Sequence, residues 1–199
     1  MRRLVPLEVA LFVAACVIPL PLPAAVPLLV VASASLWLRG RSWAEVSKGP
    51  ALYAAIGVAA GTLALVLAVV AGTPAIERIT DYAVQWSTYP VVRGNISTFA
   101  LVAVVVGASA AASELVLRGW IVERALELGA HRIVAVLLGA VADAVVTDGD
   151  IAMRVGAGVF GIGLGWMYIA GGRSVLAPIC ARLAFSLGAL ALEAMRIVG

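Results

Sequence analysis

The chain has 199 residues, of which 63% are apolar and 13% charged, with a formal net charge of +3. Soluble domains average roughly 45–50% apolar and about 25% charged. This composition, with a mean hydropathy of +1.09, therefore excludes a soluble globule and a disordered chain and leaves an integral membrane protein. One histidine, His131, and two cysteines, Cys16 and Cys180, exclude a zinc site of the finger or three-histidine kind and a disulfide-stapled scaffold. No metal and no cofactor are expected.

The length fits one membrane domain over residues 1–199, with room for six or seven helices at about 20 residues per span. The first apolar run, Leu4 to about Leu22, carries Pro6, Pro19 and Pro21, with Pro23 just beyond and an early Glu8. The second, Ala24 to Leu38, is short for a span. The two read as a helical hairpin with the proline-rich stretch as its turn. Arg2 and Arg3, an apolar stretch, then Ala24 and Ala25 also form a signal-peptide pattern; the prolines, the acid and the later spans argue against it. A polar segment, Arg39 to Gly49, follows, and Trp37 and Trp43 fit an interfacial aromatic belt.

The third span runs from Ala51 to Val70 without a charge, and its Gly57 and Gly61 form a G-x-x-x-G pair that permits close helix packing. Residues Gly72 to Ser97 read as an amphipathic or irregular surface segment. Asn95-Ile96-Ser97 inside it matches a glycosylation acceptor, taken as accidental outside a eukaryotic secretory source. The fourth span, Thr98 to about Ala112, continues into a polar helical stretch, Ser113 to Leu128, broken at Gly129-Ala130-His131. The fifth is Ile133 to Val146, followed by the acidic turn Asp148-Gly149-Asp150. The sixth is Met153 to Ala170, where Ala157, Gly161 and Gly165 share a face that another helix can approach. Gly171, Gly172 and Arg173 form a turn, and the seventh span is Ser174 to about Met195.

The basic residues set an orientation. With a cytoplasmic N-terminus, the inner segments carry Arg2, Arg3, Arg39, Arg41, Lys48, Arg118, Arg124, Arg132 and Arg173, and the outer ones only Arg78, Arg93, Arg154 and Arg196. This is a positive-inside distribution. Scattered singly between apolar runs, the same residues form no nucleic-acid surface; the partner they imply is the lipid bilayer. The absence of a eukaryotic targeting signal, with abundant Ala, Val and Gly, fits a bacterial plasma membrane.

Ionisable residues within spans carry a functional hypothesis by default, and Glu114, Arg118, Asp143 and Arg182 stand out. Glu114 and Arg118 are four apart and share a helix face, and on spacing alone they read as a structural ion pair. His131 reads as a partly exposed loop histidine.

The surroundings add a resemblance. Ser113-Glu114-Leu115-Val116-Leu117-Arg118-Gly119-Trp120 resembles the E-E-x-x-x-R-G motif of the CAAX protease and bacteriocin-processing (CPBP or Abi) family of intramembrane proteases. An apolar span, a Gly-rich span with Phe160 to Tyr168, and the run Arg173-Ser-Val-Leu-Ala-Pro-Ile to Ser186 follow in that family's order. The resemblance covers residues 98–190; residues 1–97 support it only by their hydrophobic layout.

The resemblance implies an all-α polytopic bundle of about seven helices and, in active members, a water activated by a Glu and a His, with a further His and an Asn polarising the carbonyl. Carried onto this sequence, the first Glu falls on Ser113. The second Glu is kept as Glu114 and the Arg as Arg118. The middle-span His falls on Thr147, with Asp143 in the place of its Phe, and a shift of four residues puts Asp143 there instead. The last-span His falls on Arg182 and the Asn on Ser186. Scaffold positions are kept and reactive ones replaced. Arginine cannot serve as a base, and a nucleophilic Ser113 would need a base beside it, for which Glu114, paired with Arg118, is a poor candidate.

The expectation is a non-proteolytic relative that binds a peptide or a membrane protein in the inherited cavity. One alternative is an active endopeptidase using Glu114, supported by Asp143 or His131. Another is a small transporter or lipid-binding protein, although no inverted repeat is visible. Arg182 is expected to pair with Glu114 or Asp143, with Glu193 also available.

Overall fold

The computed structural model describes residues 8, 10, 11, 25–81, 84, 89–147 and 149–195. The first arm of the hairpin, its proline turn and the signal-peptide alternative fall mostly outside these residues; Glu8, Ala10 and Leu11 are described and helical. The second arm is α1, Ala25–Leu38. A short α2, Trp43–Val46, lies in the polar segment. Helix α3, Ala51–Leu67, passes through a π-helical turn, Ala68–Gly72, into α4, Thr73–Thr80. A 3-10 turn, Pro90–Val92, precedes α5, Ile96–Glu114, which continues through a π-helical segment, Leu115–Val122, into α6, Glu123–Glu127. Helices α7, Arg132–Val146, α8, Ile151–Ala170, and α9, Leu176–Ala194, complete the described residues. Every element is helical, as the all-α bundle required.

The chain's own polar side chains set the helix starts. Asn95 accepts the Thr98 N–H at 3.1 Å to begin α5, and Asp150 accepts the Met153 N–H at 2.8 Å to begin α8. Each satisfies an N–H that the helix itself leaves open. The Asn95 cap gives the glycosylation-like triplet a structural reason.

The segment after Gly72, expected to be amphipathic or irregular, begins as a helix. Helix continues without a break to Thr80 and ends at Asp81, whose φ of 55° is left-handed. Among the described residues, four helical stretches are long and apolar enough to cross a membrane: Ala51–Ile79, Ile96–Glu127, Ile151–Ala170 and Leu176–Ala194. Helices α1 and α7 are shorter, at 14 and 15 residues. The apolar side chains facing outward, among them Val30, Leu63, Leu101, Val141 and Val159, are half or more exposed. A surface this apolar fits lipid and not water.

Small residues make the helix contacts. A Cβ at Gly57 would lie 2.3 Å from the Ala177 carbonyl oxygen, and one at Gly61 would lie 2.0 Å from that of Ala181. The G-x-x-x-G pair of α3 thus lets its backbone touch the Ala177–Ala181 face of α9. Helix α7 packs on α8 in the same manner, Gly161 against Ala140 and Gly165 against Val136. Helix α1 lays Leu28 and Ala32 against Val116 and Trp120 of the π-helical segment.

Gly61→Ala is expected to force α3 from α9 and destabilise the fold by about 1–3 kcal/mol. Gly163→Ala, where an added Cβ meets nothing within 4 Å, should be neutral or slightly stabilising. Unfolding midpoints in mixed micelles separate the two; equal effects would contradict the packing.

Candidate functional site

Four charged side chains from three helices meet in the interior. Glu114 and Arg118 come from α5 and its π-helical continuation, Asp143 from α7 and Arg182 from α9. Glu114 and Arg118 are wholly buried, and Asp143 is 1% exposed. Arg118 donates from Nη1 to Glu114 Oε1 at 3.0 Å, and from Nη2 to Asp143 Oδ2 at 3.0 Å and to the Gly161 carbonyl at 2.9 Å. Arg182 donates from Nε to Glu114 Oε1 and from Nη2 to Asp143 Oδ2. Each arginine therefore bridges both carboxylates, and two negative and two positive charges cancel. The expected pairing of Arg182 with one carboxylate is a pairing with both. Glu193 is elsewhere: its carboxylate accepts the Tyr89 N–H at 3.1 and 3.2 Å.

The surroundings are shaped to this cluster. A Cβ on Gly161 would sit 3.0 Å from both Arg118 Nη2 and Asp143 Oδ2, so α8 leaves room for the charges where glycine stands. The Arg182 guanidinium lies 5.7 Å from the centroid of the Phe160 ring, which packs 5.0 Å from that of Phe185. A guanidinium over an aromatic face gains electrostatically from the ring. Two buried atoms in the cluster, Glu114 Oε2 and Arg118 Nε, have no hydrogen-bond partner among the described residues.

The remaining motif positions stand around the four. Ser113 is half-buried, and its hydroxyl donates to the Ser109 carbonyl of its own helix at 2.9 Å. Thr147 closes α7, donating from Oγ1 to the Asp143 carbonyl at 2.7 Å. Of the two alignments read from the sequence, the side chain in the cluster is that of Asp143. Ser186 lies one turn beyond Arg182 on α9, half-buried. His131 is exposed and caps α7, with Nδ1 accepting the Ile133 N–H at 3.3 Å; among the described residues it takes no part in the cluster.

A second charged network was not read from the sequence. Glu123 accepts the Tyr168 hydroxyl at 2.7 Å and Arg41 at 3.1 Å, with Arg173 at 3.5 Å. Glu127 takes Arg39, Arg41 and Arg124. Arg124 also reaches Glu8 at 2.7 Å, and Glu8 accepts from Ser35, which in turn accepts from Trp120 at 2.9 Å. This network ties α1, the Arg39–Arg41 turn, α6, α8 and Glu8 at one end of the bundle. The Glu123–Glu127 spacing, another pair four apart, was the available signal. Outside the spans, the Arg41 guanidinium is pushed above its ordinary pKa, first by its hydrogen bond to Glu123, and so stays charged.

The π-helical segment relates the two networks. Nine α-helical steps would carry Glu123 about 180° around the axis from Glu114. The i→i+5 bonding of Leu115–Val122 turns each residue by less, and both carboxylates end inside the bundle.

Fold and site define a multi-pass helical membrane protein with a neutral, buried four-charge cluster. Residues 95–188 match a family model described as type II CAAX prenyl endopeptidase Rce1-like, which bears out the resemblance read over residues 98–190 and spans every motif position above. No curated protein and no solved structure matches the chain.

Replacing Arg182 by Met leaves two buried carboxylates with one arginine. It should destabilise the protein by about 3–5 kcal/mol, the cost of breaking a buried pair. Adding Glu114→Gln removes the surplus charge and should recover most of that loss. Denaturation midpoints of the single and double variants check this; losses that simply add would contradict a shared charge balance.

Proposed function

We propose that the chain is a non-proteolytic relative of the CAAX-type intramembrane endopeptidases, which binds a peptide or the transmembrane segment of a partner protein at the position of that family's catalytic cavity. The observation that carries this reading is Arg182. It stands at the last-span histidine position and donates to both carboxylates of the cluster. Arginine stays protonated at any physiological pH, so this position offers a donor and not a base. Ser113, at the position of the first motif Glu, is turned onto its own helix. Removal of a single general base or oxyanion donor lowers rates by about 10²–10⁴-fold, and here several are replaced together.

The reading places the whole chain in one membrane domain, with residues 98–190 as its core and residues 1–97 as a hairpin, a span and a surface segment. It places the N-terminus in the cytoplasm of a bacterial cell and the bundle in the plasma membrane, supported by the positive-inside distribution of arginines.

One observation favours the alternative of an endopeptidase with an altered site. Glu114 Oε2 is buried and has no hydrogen-bond partner among the described residues, which leaves that carboxylate oxygen open to a water.

Purified protein in liposomes, incubated with a prenylated C-a-a-X peptide and with a transmembrane model peptide, is expected to cleave neither above the protein-free background. Cleavage that disappears in Glu114→Gln would overturn the reading in favour of the altered enzyme. A photo-crosslinking side chain at Ser186 is expected to capture a discrete peptide or membrane protein. Adducts to lipid alone would contradict partner binding.

A further inference from the structure

Helix lengths differ sharply around the bundle. The Ala51–Ile79 and Ile96–Glu127 helices run 29 and 32 residues, about 44 and 48 Å at 1.5 Å per residue. Both exceed a hydrocarbon core of about 30 Å, and a long helix fits by tilting. Helix α7 has 15 residues, about 22 Å, and no tilt lengthens it. Its outer face is nonetheless wholly apolar: Ile133, Val134, Leu137, Leu138, Val141 and Val145 are all at least 46% exposed.

The neighbouring α8 has 20 residues and is long enough to cross, but a charge stands inside its first turn. In α8 the exposed Arg154 stands one turn inside the N-terminus, and the exposed Arg173 follows its C-terminus. The uncharged stretch between them, residues 155–170, is about 24 Å long. Arg132 and the capping Asp150 mark the ends of the α7–α8 hairpin. Two adjacent helices thus agree on an apolar belt about 6–8 Å thinner than an ordinary bilayer. Leaving Arg132, Asp150 or Arg154 in hydrocarbon would cost several kcal/mol each, whereas deforming lipid costs fractions of a kcal/mol per Å. The lipid gives way.

We propose that the α7–α8 face is a docking surface for a locally thinned bilayer, its preferred occupant being phospholipid with short acyl chains. The thinning is one-sided, because α3 packs on α9 and carries no charged residue from Ala51 to Ile76. It also has a consequence for the cluster. Asp143 lies one turn from the Thr147 end of α7, so a polar boundary at Thr147 comes within about 6 Å of the Asp143 backbone. The inference does not rest on whether the protein cleaves, binds a partner or does neither.

Spin labels at Cys introduced for Ile133, Leu138 and Val145, with Cys16 and Cys180 replaced by alanine, measure depth in bilayers of ordinary thickness. Labels at 133 and 145 are expected to collide more with a water-soluble nickel complex than with oxygen, and the label at 138 the reverse. If either end label is as shielded from nickel as the label at 138, the proposal is overturned. The unmodified chain gives a second reading. In single-species phosphatidylcholine bilayers of about 14 to 22 carbons per chain, its thermal midpoint is expected to peak at about 14–16 carbons. A peak at about 18 carbons or longer also overturns it.

Discussion

A charge in hydrocarbon has no water to turn to, and the interior of this bundle holds four. Taking one carboxylate or guanidinium out of water costs several kcal/mol even after relaxation. Glu114, Arg118, Asp143 and Arg182 bear this only together. Their charges sum to zero, and each arginine spans both acids. Because the four come from α5 with its π-helical continuation, α7 and α9, no helix can shift alone without exposing an unbalanced charge. The Gly161 carbonyl adds α8 to the same lock. The cluster therefore fixes how four helices sit relative to one another, and a network of this kind specifies an arrangement more than it adds stability.

The rest of the fold serves that approach. Ala181 touches Gly61 of α3 through its backbone, and Arg182 is the next residue along. One side of α9 is held flush against α3, and the neighbouring side chain is delivered to the acids. A larger residue at Gly57 or Gly61 would withdraw Arg182 along with its helix. The π-helical segment works at longer range. By changing the rotation between Glu114 and Glu123 it lets one continuous helix present carboxylates to the central cluster and to the Arg39–Arg41–Tyr168 network at the end of the bundle. Such π turns occur frequently at functional sites.

Much of this was legible in the chain. Apolar runs and small-residue spacings gave the helices and their contacts, since lipid demands closed backbone bonding and close packing demands glycine. The intramembrane acids and arginines announced the cluster through their cost alone. Less visible was how the stretch after Gly72 joins the span before it: the helix runs on to Thr80 through a π turn, and a π turn leaves no clear mark in hydrophobic periodicity. The end network escaped for a different reason. Glu8, Arg39, Glu123, Glu127 and Tyr168 lie far apart in sequence, and each alone looks like an ordinary residue of a helix end. Thr147 and Asp143, one turn apart on α7, could not be separated by alignment; side-chain direction separates them.

The chemistry that the cluster permits follows from which atoms are engaged. Hydrolysis of an amide needs an acceptor for the proton of the attacking water and donors for the oxygen that becomes negative. Arg118 and Arg182 supply donors in plenty, but both already point at Glu114 Oε1 and Asp143 Oδ2. Glu114 Oε2 is a buried acceptor with no hydrogen-bond partner among the described residues. It belongs to a carboxylate whose other oxygen holds two guanidiniums, so a proton taken up there removes the negative charge that both ion pairs share and leaves both cations short of a partner. A group that must dismantle the charge balance of its own site to act is poorly placed as a base. On the proposed reading, the same two arginines would hold an incoming chain whose carboxylate or carbonyl takes up their donors. Binding asks only for an exchange of partners within a neutral cluster, whereas catalysis asks for a charge to be left uncovered in a dry interior.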